Sequence, residues 1–367
     1  MAKIRWHKVS RNMTGAVRSV ALASLTLLCA GTALPAHAAK LPMSVKDVAV
    51  GAMRQLERDF YDPHAGLYRA TGGLHEPYIA VWPTSQVLSA AIGLARLSRT
   101  QENIARVRRI INSLHIYASP QGGYHARIVR SLRYYDDNNW VALDLLDAYA
   151  LLHDQSYLSA AKNVFDYLIT GWDTQHGGGL IWADGHTDRP TVSTAPAITI
   201  ALRLAAVTHQ ATYRTWANRL YAWENSKLSN GHGLYWDHID GVSGAIDRDI
   251  VSYNQGVMID ANIAYAKLTG KQAYLAEARR IATATASAMT GPWHNHGRYA
   301  AFDAIYFAAV AHLNAASPHA ASLDQANAYL QWAWPTASAK RLPANRTEED
   351  ILEQAGYVIT AVAVAGA

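Results

Sequence analysis

The chain has 367 residues, half of them apolar, with one cysteine and a formal net charge of +5. The length suffices for one large domain, and a single cysteine excludes an internal disulfide and a cysteine-based metal site. Five basic residues lie within the first 18 positions, Lys3, Arg5, Lys8, Arg11 and Arg18, and they equal the whole net charge because no acidic residue precedes Asp47. Because the rest of the chain is neutral overall, we expect no nucleic-acid partner.

The first 38 residues have the pattern of a secretory signal peptide. Basic residues precede an apolar stretch over 20–33, and the stretch is followed by Ala36-His37-Ala38. This pattern predicts cleavage near Ala38 and an extracellular location, either free or associated with the cell wall. We expect residues 39–367 to form a single catalytic domain, a monomer with no stable membrane insertion, no cofactor and no bound metal.

Apolar residues recur at three- and four-residue spacing through most of the remaining chain, which predicts helices. The predicted helices cover 44–59, 83–98, 101–116, 137–153, 157–170, 194–208, 212–226, 254–268, 272–287, 300–315, 320–333 and 348–362. Glycine-rich turns of similar composition recur roughly every 55 residues, at 63–68, 120–124, 176–180 and 231–235. Twelve helices and a recurring turn indicate six helical hairpins.

Similar hairpins at similar spacing stack into a ring or a solenoid. The ring form is an all-α fold, the (α/α)6 barrel, in which inner and outer helices alternate and each glycine turn leads from an outer helix into an inner one. The turns then share one end of the ring with the N-termini of the inner helices, whose free N–H groups favour anions. The long connections around 60–82, 117–136, 171–193 and 228–253 are typical of binding loops.

Two adjacent aspartates, Asp136 and Asp137, lie at the start of the fourth predicted helix, flanked by tyrosine, asparagine and tryptophan. One interpretation is structural, with Asp136 as the helix N-cap and Asp137 as a first-turn acid. The other is an acid/base pair with separated pKa values, as hydrolysis of a glycosidic bond requires. Neighbouring side chains in a helix diverge by about 100°, which allows the roughly 5 Å carboxyl separation of a retaining glycosidase.

Aromatic side chains are concentrated in the same loops and helix junctions, where they either stack on sugar rings or pack the loops onto the core. They are Trp82, Trp140, Trp172, Trp182, Trp236, Trp293, Tyr134, Tyr135, Tyr235 and Tyr253. Histidine pairs at 232 and 238 and at 294 and 296 fit metal ligation less well than surface or sugar-contacting roles. Asp144 and Asp147, on the fourth helix, either line the barrel or cap a neighbouring helix.

Four short motifs carry a resemblance to glycoside hydrolase family 76. They are Tyr135-Asp136-Asp137-Asn138-Asn139-Trp140, Gly177-Gly178-Gly179-Leu180-Ile181-Trp182, Gly233-Leu234-Tyr235-Trp236-Asp237 and Tyr253-Asn254-Gln255-Gly256. The resemblance runs from about residue 45 to about residue 335 and implies an (α/α)6 barrel that acts on α-1,6-linked mannan with retention. It also implies that Asp136 is the nucleophile and Asp137 the general acid/base.

The implied function is that of a secreted endo-α-1,6-mannanase whose partner is α-mannan or a mannosylated glycan. The alternatives are a transglycosylase acting on cell-wall or glycolipid mannosides and a non-catalytic glycan-binding protein. Expected substrate contacts are Tyr135, Asn139, Trp140, Trp182, Trp236, Asp237, Tyr253, Asn254 and Gln255. The chain departs from the family pattern at Ala183, at 191–196 and around 302–305, where the sugar subsites are expected to differ.

Overall fold

The computed structural model describes residues 44–70, 76–129, 131–289, 300–339 and 345–366. The expected signal peptide and cleavage site lie outside these residues, as do Trp293, His294 and His296. The helices are α1 Val45–Phe60, α2 Val81–Leu97, α3 Gln101–Ser113, α4 Tyr135–Leu152, α5 Gln155–Leu168, α6 Thr191–Thr208, α7 Ala211–Lys227, α8 Ser252–Thr269, α9 Gln272–Ala288, α10 Ala300–Ala316, α11 Asp324–Ala339 and α12 Glu348–Ala365. Short 3₁₀ turns, Leu114–Tyr117 and Ile169–Gly171, follow α3 and α5.

The even-numbered helices form a closed inner ring. Each packs against the next, from α2 on α4 round to α10 on α12, and α12 packs against α2. The odd-numbered helices lie outside: α3, α5, α7 and α9 pack on α2, α4, α6 and α8, while α1 and α11 pack on α12. The predicted all-α (α/α)6 barrel is therefore confirmed.

Inner and outer helices differ in how their apolar residues are distributed. The inner helix α6 has the length and composition of a membrane-spanning helix, yet 78% of that span is buried inside the barrel. A helix that is apolar all round needs partners on every side, and α6 finds them in α4, α7 and α8. The outer helix α3 buries one stripe that includes Val107 and Ile110. A helix that is apolar on all sides is therefore stable only in the inner ring, whereas a helix with one apolar stripe can lie outside it.

The short turns from inner to outer helices lie at one end of the barrel. Helices α4, α6 and α8 each end in a left-handed residue, with φ of 57° at His153, 59° at His209 and 71° at Gly270. Asp154 then caps α5 by accepting the Ser156 N–H at 3.0 Å. The long loops consequently occupy the opposite end, where α4, α6 and α8 begin.

The glycine turns share one construction in four of these loops. Backbone pairing closes each turn, in β1 (Tyr61–Asp62) with β2 (Leu67–Tyr68) and in single bridges Ala118–Tyr124, Trp172–Leu180 and Ser229–Tyr235. Three further strands, β3 (Arg189–Pro190), β4 (His238–Ile239) and β5 (Ile246–Asp247), form an antiparallel sheet in the order β3-β4-β5. In that sheet Pro190 pairs with His238, and His238 pairs with Asp247.

The fourth residue of an inner helix holds the backbone that follows each of three turns. In these contacts Asn138 accepts the Tyr124 N–H at 2.7 Å, Thr194 accepts the Leu180 N–H at 3.0 Å, and Gln255 accepts the Tyr235 N–H at 2.9 Å. The Asn138 and Gln255 amides also donate to the carbonyls of the same tyrosines, at 3.0 and 2.8 Å. Buried backbone groups need such partners, so these side chains fix the loops onto the ring.

Replacing Gly256 with alanine tests the close approach of α8 and α10. A Cβ here would lie 2.9 Å from Tyr306 Cα and 3.1 Å from the Ile305 carbonyl oxygen. Alanine favours a helix by about 1 kcal/mol, but overpacking costs about 1–3 kcal/mol, so we expect a lower melting temperature in thermal unfolding followed by circular dichroism. Gly51→Ala is the control, because its Cβ meets only the Trp334 side chain, at 3.3 Å. A Gly256→Ala protein as stable as wild type would contradict this packing.

Candidate active site

The two aspartates lie in the first turn of the inner helix α4. Tyr134 is the N-cap residue, and its side chain makes no capping hydrogen bond. Asp136 and Asp137 are therefore the second and third helical residues, and the interpretation of Asp136 as the N-cap is wrong. Both side chains are half-buried. Asp136 Oδ1 accepts the Asp137 backbone N–H at 3.0 Å, which is one of the free N–H groups at the helix start.

Trp182, from the loop between α5 and α6, binds both the helix and the carboxylate. Its backbone carbonyl accepts the Tyr135 N–H at 2.9 Å, and its indole N–H donates to Asp136 Oδ2 at 3.1 Å. The Tyr134 ring meets the indole edge-on, with centroids 5.0 Å apart. Each Asp136 oxygen thus accepts a hydrogen bond, and Trp182 binds one of the two.

The pKa values of both carboxyl groups are raised, for different reasons. Burial raises the pKa of Asp136 to about 6, and the hydrogen bonds from the Asp137 N–H and Trp182 limit that rise. Burial raises the pKa of Asp137 well above its usual range, and the charges of Asp136 and Glu348 raise it further, against Arg127. Asp136 therefore ionises first, and Asp137 keeps its proton while its neighbour is charged.

Arg127 and Glu348 form an ion pair near Asp137 that the sequence does not predict. The guanidinium binds the Glu348 carboxylate with both terminal nitrogens, at 3.2 and 2.8 Å. Glu348 is the first residue of α12, and Arg127 lies in the loop before α4. The Arg127–Glu348 ion pair thus places one positive and one negative charge near the Asp137 carboxyl group.

A second polar group is centred on Asp237, in the loop before α8, and we call the surface between it and the aspartate pair the cleft. Its Oδ1 accepts the Asn254 side-chain N–H at 3.0 Å, and its Oδ2 lies 3.0 Å from His238 Nδ1. Burial lowers the pKa of His238, but the hydrogen bond and charge of Asp237 outweigh this and raise it. Burial, Asp237 and Asp136 together raise the pKa of Tyr253 well above its usual range. Tyr253 is thus close enough to both acidic groups to connect the two sides electrostatically.

Further aromatic rings pack against Tyr253 and Trp182. Tyr253 meets Phe302 edge-on at 4.6 Å, and Phe302 lies 5.8 Å from Trp82. On the other side His186 stands edge-on to Trp182 at 5.3 Å. These rings provide apolar surface beside ionisable groups, the usual composition of a site that binds a sugar-sized ligand.

Four of the nine expected substrate contacts, Trp182, Trp236, Asp237 and Tyr253, are partly exposed at the loop end of the ring. The other five, Tyr135, Asn139, Trp140, Asn254 and Gln255, are buried. Asn139, Asn254 and Gln255 make hydrogen bonds within the protein, and the role of all five as substrate contacts stays a prediction.

Specific contacts explain this burial. Tyr135 stacks on Tyr167 at 4.7 Å with the rings nearly parallel, and Trp140 belongs to the main core. The Asn139 amide donates to the Ser193 carbonyl at 2.7 Å and also lies 3.5 Å from the Val192 carbonyl. The Val192 carbonyl has no donor within the helix, because Pro196, four residues on, has no N–H. The contacts of Tyr135 and Asn139 therefore join α4 to α5 and α6.

Asp144 lies in the middle of α4 and Asp147 one turn further on, and both have structural contacts. The Ser89 hydroxyl donates to Asp144, and burial raises the Asp144 pKa well above its usual range. Asp147 binds Arg96 of α2 at 2.9 Å and Arg203 of α6 at 2.7 Å. Burial raises the Asp147 pKa, but the two arginines outweigh it and lower the pKa below its usual range. Both aspartates therefore join neighbouring inner helices.

Metal ligands do not gather anywhere in the part of the chain that the structure describes. There, no group of three or more histidine, cysteine, aspartate or glutamate side chains is placed to hold a metal ion.

A ring of helical hairpins that carries two first-turn carboxyl groups beside aromatic side chains has the groups that a glycoside hydrolase needs. The family model for glycosyl hydrolase family 76 matches residues 44–297. The chain belongs to glycoside hydrolase family 76.

Curated relatives cover only part of this sequence. It is 32% identical over 125 residues to mannan endo-1,6-alpha-mannosidase DCW1 of Candida glabrata, covering 31% of this chain and 28% of the relative. It is 31% identical over 131 residues to the DCW1 protein of Saccharomyces cerevisiae, covering 32% of this chain and 29% of the relative. The chain thus spans less than a third of the length of these relatives.

Solved structures match over most of the chain. The family 76 mannosidase Bt3792 from Bacteroides thetaiotaomicron has a TM-score of 0.77 at 21% identity, covering 88% of this chain and 98% of that one. An inactive variant of the α-1,6-mannanase GH76A of Salegentibacter, bound to α-1,6-mannotriose, has a TM-score of 0.69 at 20% identity, covering 88% and 99%. At these identities the likeness concerns the fold.

Replacing Trp182 with phenylalanine tests its hold on Asp136. The variant keeps an aromatic ring but loses the indole N–H, which stabilises the charged carboxylate, so the Asp136 pKa should rise above about 6. Carbon-13 NMR of labelled aspartate carboxyls measures this, with Asp136→Asn to assign the signal. Trp236→Phe is the matched control, since Trp236 makes none of the hydrogen bonds that set the Asp136 pKa. An unchanged titration midpoint in Trp182→Phe would refute the contact.

Proposed function

We propose that the protein is a secreted, retaining endo-α-1,6-mannanase, which cleaves α-1,6-mannosidic bonds in mannan or mannosylated glycans. The observation that carries this proposal is the pair Asp136 and Asp137, two adjacent carboxyl groups with separated proton affinities at the open end of the barrel. A glycosidase needs one charged and one protonated carboxyl group at the scissile bond. The signal-peptide pattern over residues 1–38 supports secretion.

In the first step Asp136 acts as the nucleophile. Its carboxylate attacks the anomeric carbon, the bond from that carbon to the glycosidic oxygen breaks, and Asp137 transfers its proton to the departing oxygen. The product is a mannosyl ester on Asp136. Trp182 holds one carboxylate oxygen at 3.1 Å, which orients Asp136 and stabilises its charge when it leaves again.

In the second step Asp137 acts as a base. Formation of the ester removes the Asp136 charge, which is one of the causes that raise the Asp137 pKa. Its pKa therefore falls after the first step, and the resulting carboxylate takes a proton from water as that water attacks the anomeric carbon. Asp136 is released as a carboxylate and Asp137 is again protonated, so the cycle closes without a cofactor.

The partly exposed side chains Trp182, Trp236, Asp237 and Tyr253 are our candidates for contacts with the mannose units. Flat rings cover the apolar faces of a sugar, and a carboxylate accepts from its hydroxyls. The choice of α-1,6-mannan is supported by the names of the yeast relatives. It is also supported by the Salegentibacter mannanase, whose inactive variant replaces two consecutive aspartates with asparagine and binds α-1,6-mannotriose.

Transglycosylation is the second candidate, because the same ester intermediate can pass to a sugar hydroxyl instead of water. The loop aromatics that would hold an acceptor are the same as those that would hold a longer substrate. Product analysis with an added mannooligosaccharide acceptor separates the two: hydrolysis gives shorter chains only, and transfer gives chains longer than the donor. A non-catalytic glycan-binding protein would give neither.

Conservative variants of the pair test the assigned roles. We expect Asp136→Asn and Asp137→Asn each to lower kcat on α-1,6-mannan by about 10²- to 10⁴-fold, the contribution typical of such groups, while mannotriose binding persists. Asp154→Asn is the control, since Asp154 caps the outer helix α5 and asparagine caps equally well. Full activity in Asp136→Asn would refute the hydrolase, and a wild type that cleaves no α-mannan would refute the substrate.

The rate should depend on pH in a bell-shaped manner. Activity falls as the pH drops through about 6, because Asp136 becomes protonated and can no longer attack. It falls again at high pH, because Asp137, whose pKa lies well above its usual range, loses the proton that it must donate. The profile of kcat/KM reports these groups in the free enzyme. Undiminished activity down to about pH 4, the range of ordinary carboxyl groups, would contradict this account.

A further inference from the structure

A buried glutamate lies behind the cleft wall that carries Trp236 and Asp237. Glu224 belongs to the outer helix α7 and is 0% exposed. Its Oε1 lies 2.7 Å from the hydroxyl of Thr191, the first residue of the inner helix α6. Its other oxygen, Oε2, is buried and has no hydrogen-bond partner among the described residues.

The hydroxyl of Thr191 contacts two oxygen atoms but has one hydrogen to donate. One contact is Glu224 Oε1 and the other is the backbone carbonyl of Trp236, both at 2.7 Å. A carbonyl oxygen can only accept. The two contacts are both hydrogen bonds only if Glu224 carries a proton and donates it to Thr191, which then donates to Trp236. A charged Glu224 would compete with the carbonyl for a single hydrogen.

The surroundings of Glu224 also favour the neutral acid. Trp223 and Leu228, on either side of Glu224 along the chain, belong to an apolar cluster on which Trp236 packs. Burial raises the Glu224 pKa to about 8, the contact with Thr191 limits that rise, and no charged group among the described residues contributes to the shift. Among the described titratable groups, Tyr235 is one whose pKa a charge on Glu224 would raise. Burying an unpaired charge costs far more than burying a neutral acid.

We propose that Glu224 is a protonated positioning residue that, through Thr191, fixes the Trp236–Asp237 segment of the cleft wall. Thr191 holds this segment twice, since its hydroxyl reaches the Trp236 carbonyl at 2.7 Å and its N–H donates to the Asp237 carbonyl at 2.9 Å. The Asp237 side chain then meets Asn254 and lies close to Tyr253. The effect on catalysis rests on the proposed function, whereas the proton on Glu224 does not.

Two variants of similar size separate the proton from the mere presence of a side chain. Glu224→Gln retains an N–H that can donate to Thr191, and Glu224→Met fills the space without a donor. We expect Glu224→Met to lower kcat/KM on α-1,6-mannan by about 10-fold, mainly through KM, because small misplacements at a site are costly. Glu224→Gln should restore kcat/KM to within about two-fold of wild type. Glu102→Gln, at a side chain that is 75% exposed, is the control for loss of a glutamate charge.

A structural readout keeps this test independent of any activity. Carbon-13 NMR of labelled glutamate carboxyls, with Glu224→Gln to assign the signal, should show one acid still protonated at about pH 7, well above the usual glutamate range. The Trp236 indole N–H signal should move in Glu224→Met and return in Glu224→Gln. A Glu224 signal already ionised at about pH 6 overturns the proposal, as does an unmoved indole signal in Glu224→Met. If mannan is not cleaved, the proposed function fails while these two signals still decide the role of Glu224.

Discussion

Two carboxyl groups on consecutive residues, in surroundings that are mostly apolar, cannot both hold a charge at low cost. The site is built on that constraint. Asp136 receives one hydrogen bond on each oxygen, from the Asp137 N–H and from the Trp182 indole, and these donors favour its charged form. Asp137 has the Asp136 and Glu348 charges nearby, only partly offset by Arg127. The two carboxyl groups therefore differ in proton affinity, as a two-carboxyl mechanism needs, because their surroundings differ.

The ring of helices produces these positions. Each inner helix from α2 to α8 is preceded by a long loop, and the side chain of its fourth residue ties that loop down in α4, α6 and α8. Trp182 can therefore reach over the start of α4 from the next loop along the ring. At the far end, Asp147 joins α2, α4 and α6 through Arg96 and Arg203. These ion pairs join the inner helices on the side of the ring away from the long loops.

Much of the fold could be predicted from the sequence, because the inner helices are apolar all round and the glycine turns mark their boundaries. The eleventh helix was misplaced: it was predicted over 320–333 and is Asp324–Ala339, since it begins after Ser322 and continues through Pro335. In the site, composition and spacing predict that the aspartate pair and Trp182 lie at the same end of the ring, and a hydrogen bond joins Trp182 to Asp136. Their catalytic and substrate-binding roles stay predictions. Polarity alone does not reveal that the side chains of Gln255 and Asn139 bind backbone groups. Arg127 and Glu348 are 221 residues apart, so only the closed ring brings them together.

The most direct test of the central claim is a crystal structure of the Asp136→Asn protein with an α-1,6-mannooligosaccharide. The account predicts that an anomeric carbon lies against the side chain of residue 136, in line for attack, with the attached glycosidic oxygen within hydrogen-bond reach of Asp137. Trp182 and Tyr253 should border the same sugar unit. A sugar bound elsewhere on the barrel, or one whose glycosidic bonds lie beyond the reach of both carboxyl groups, would contradict it.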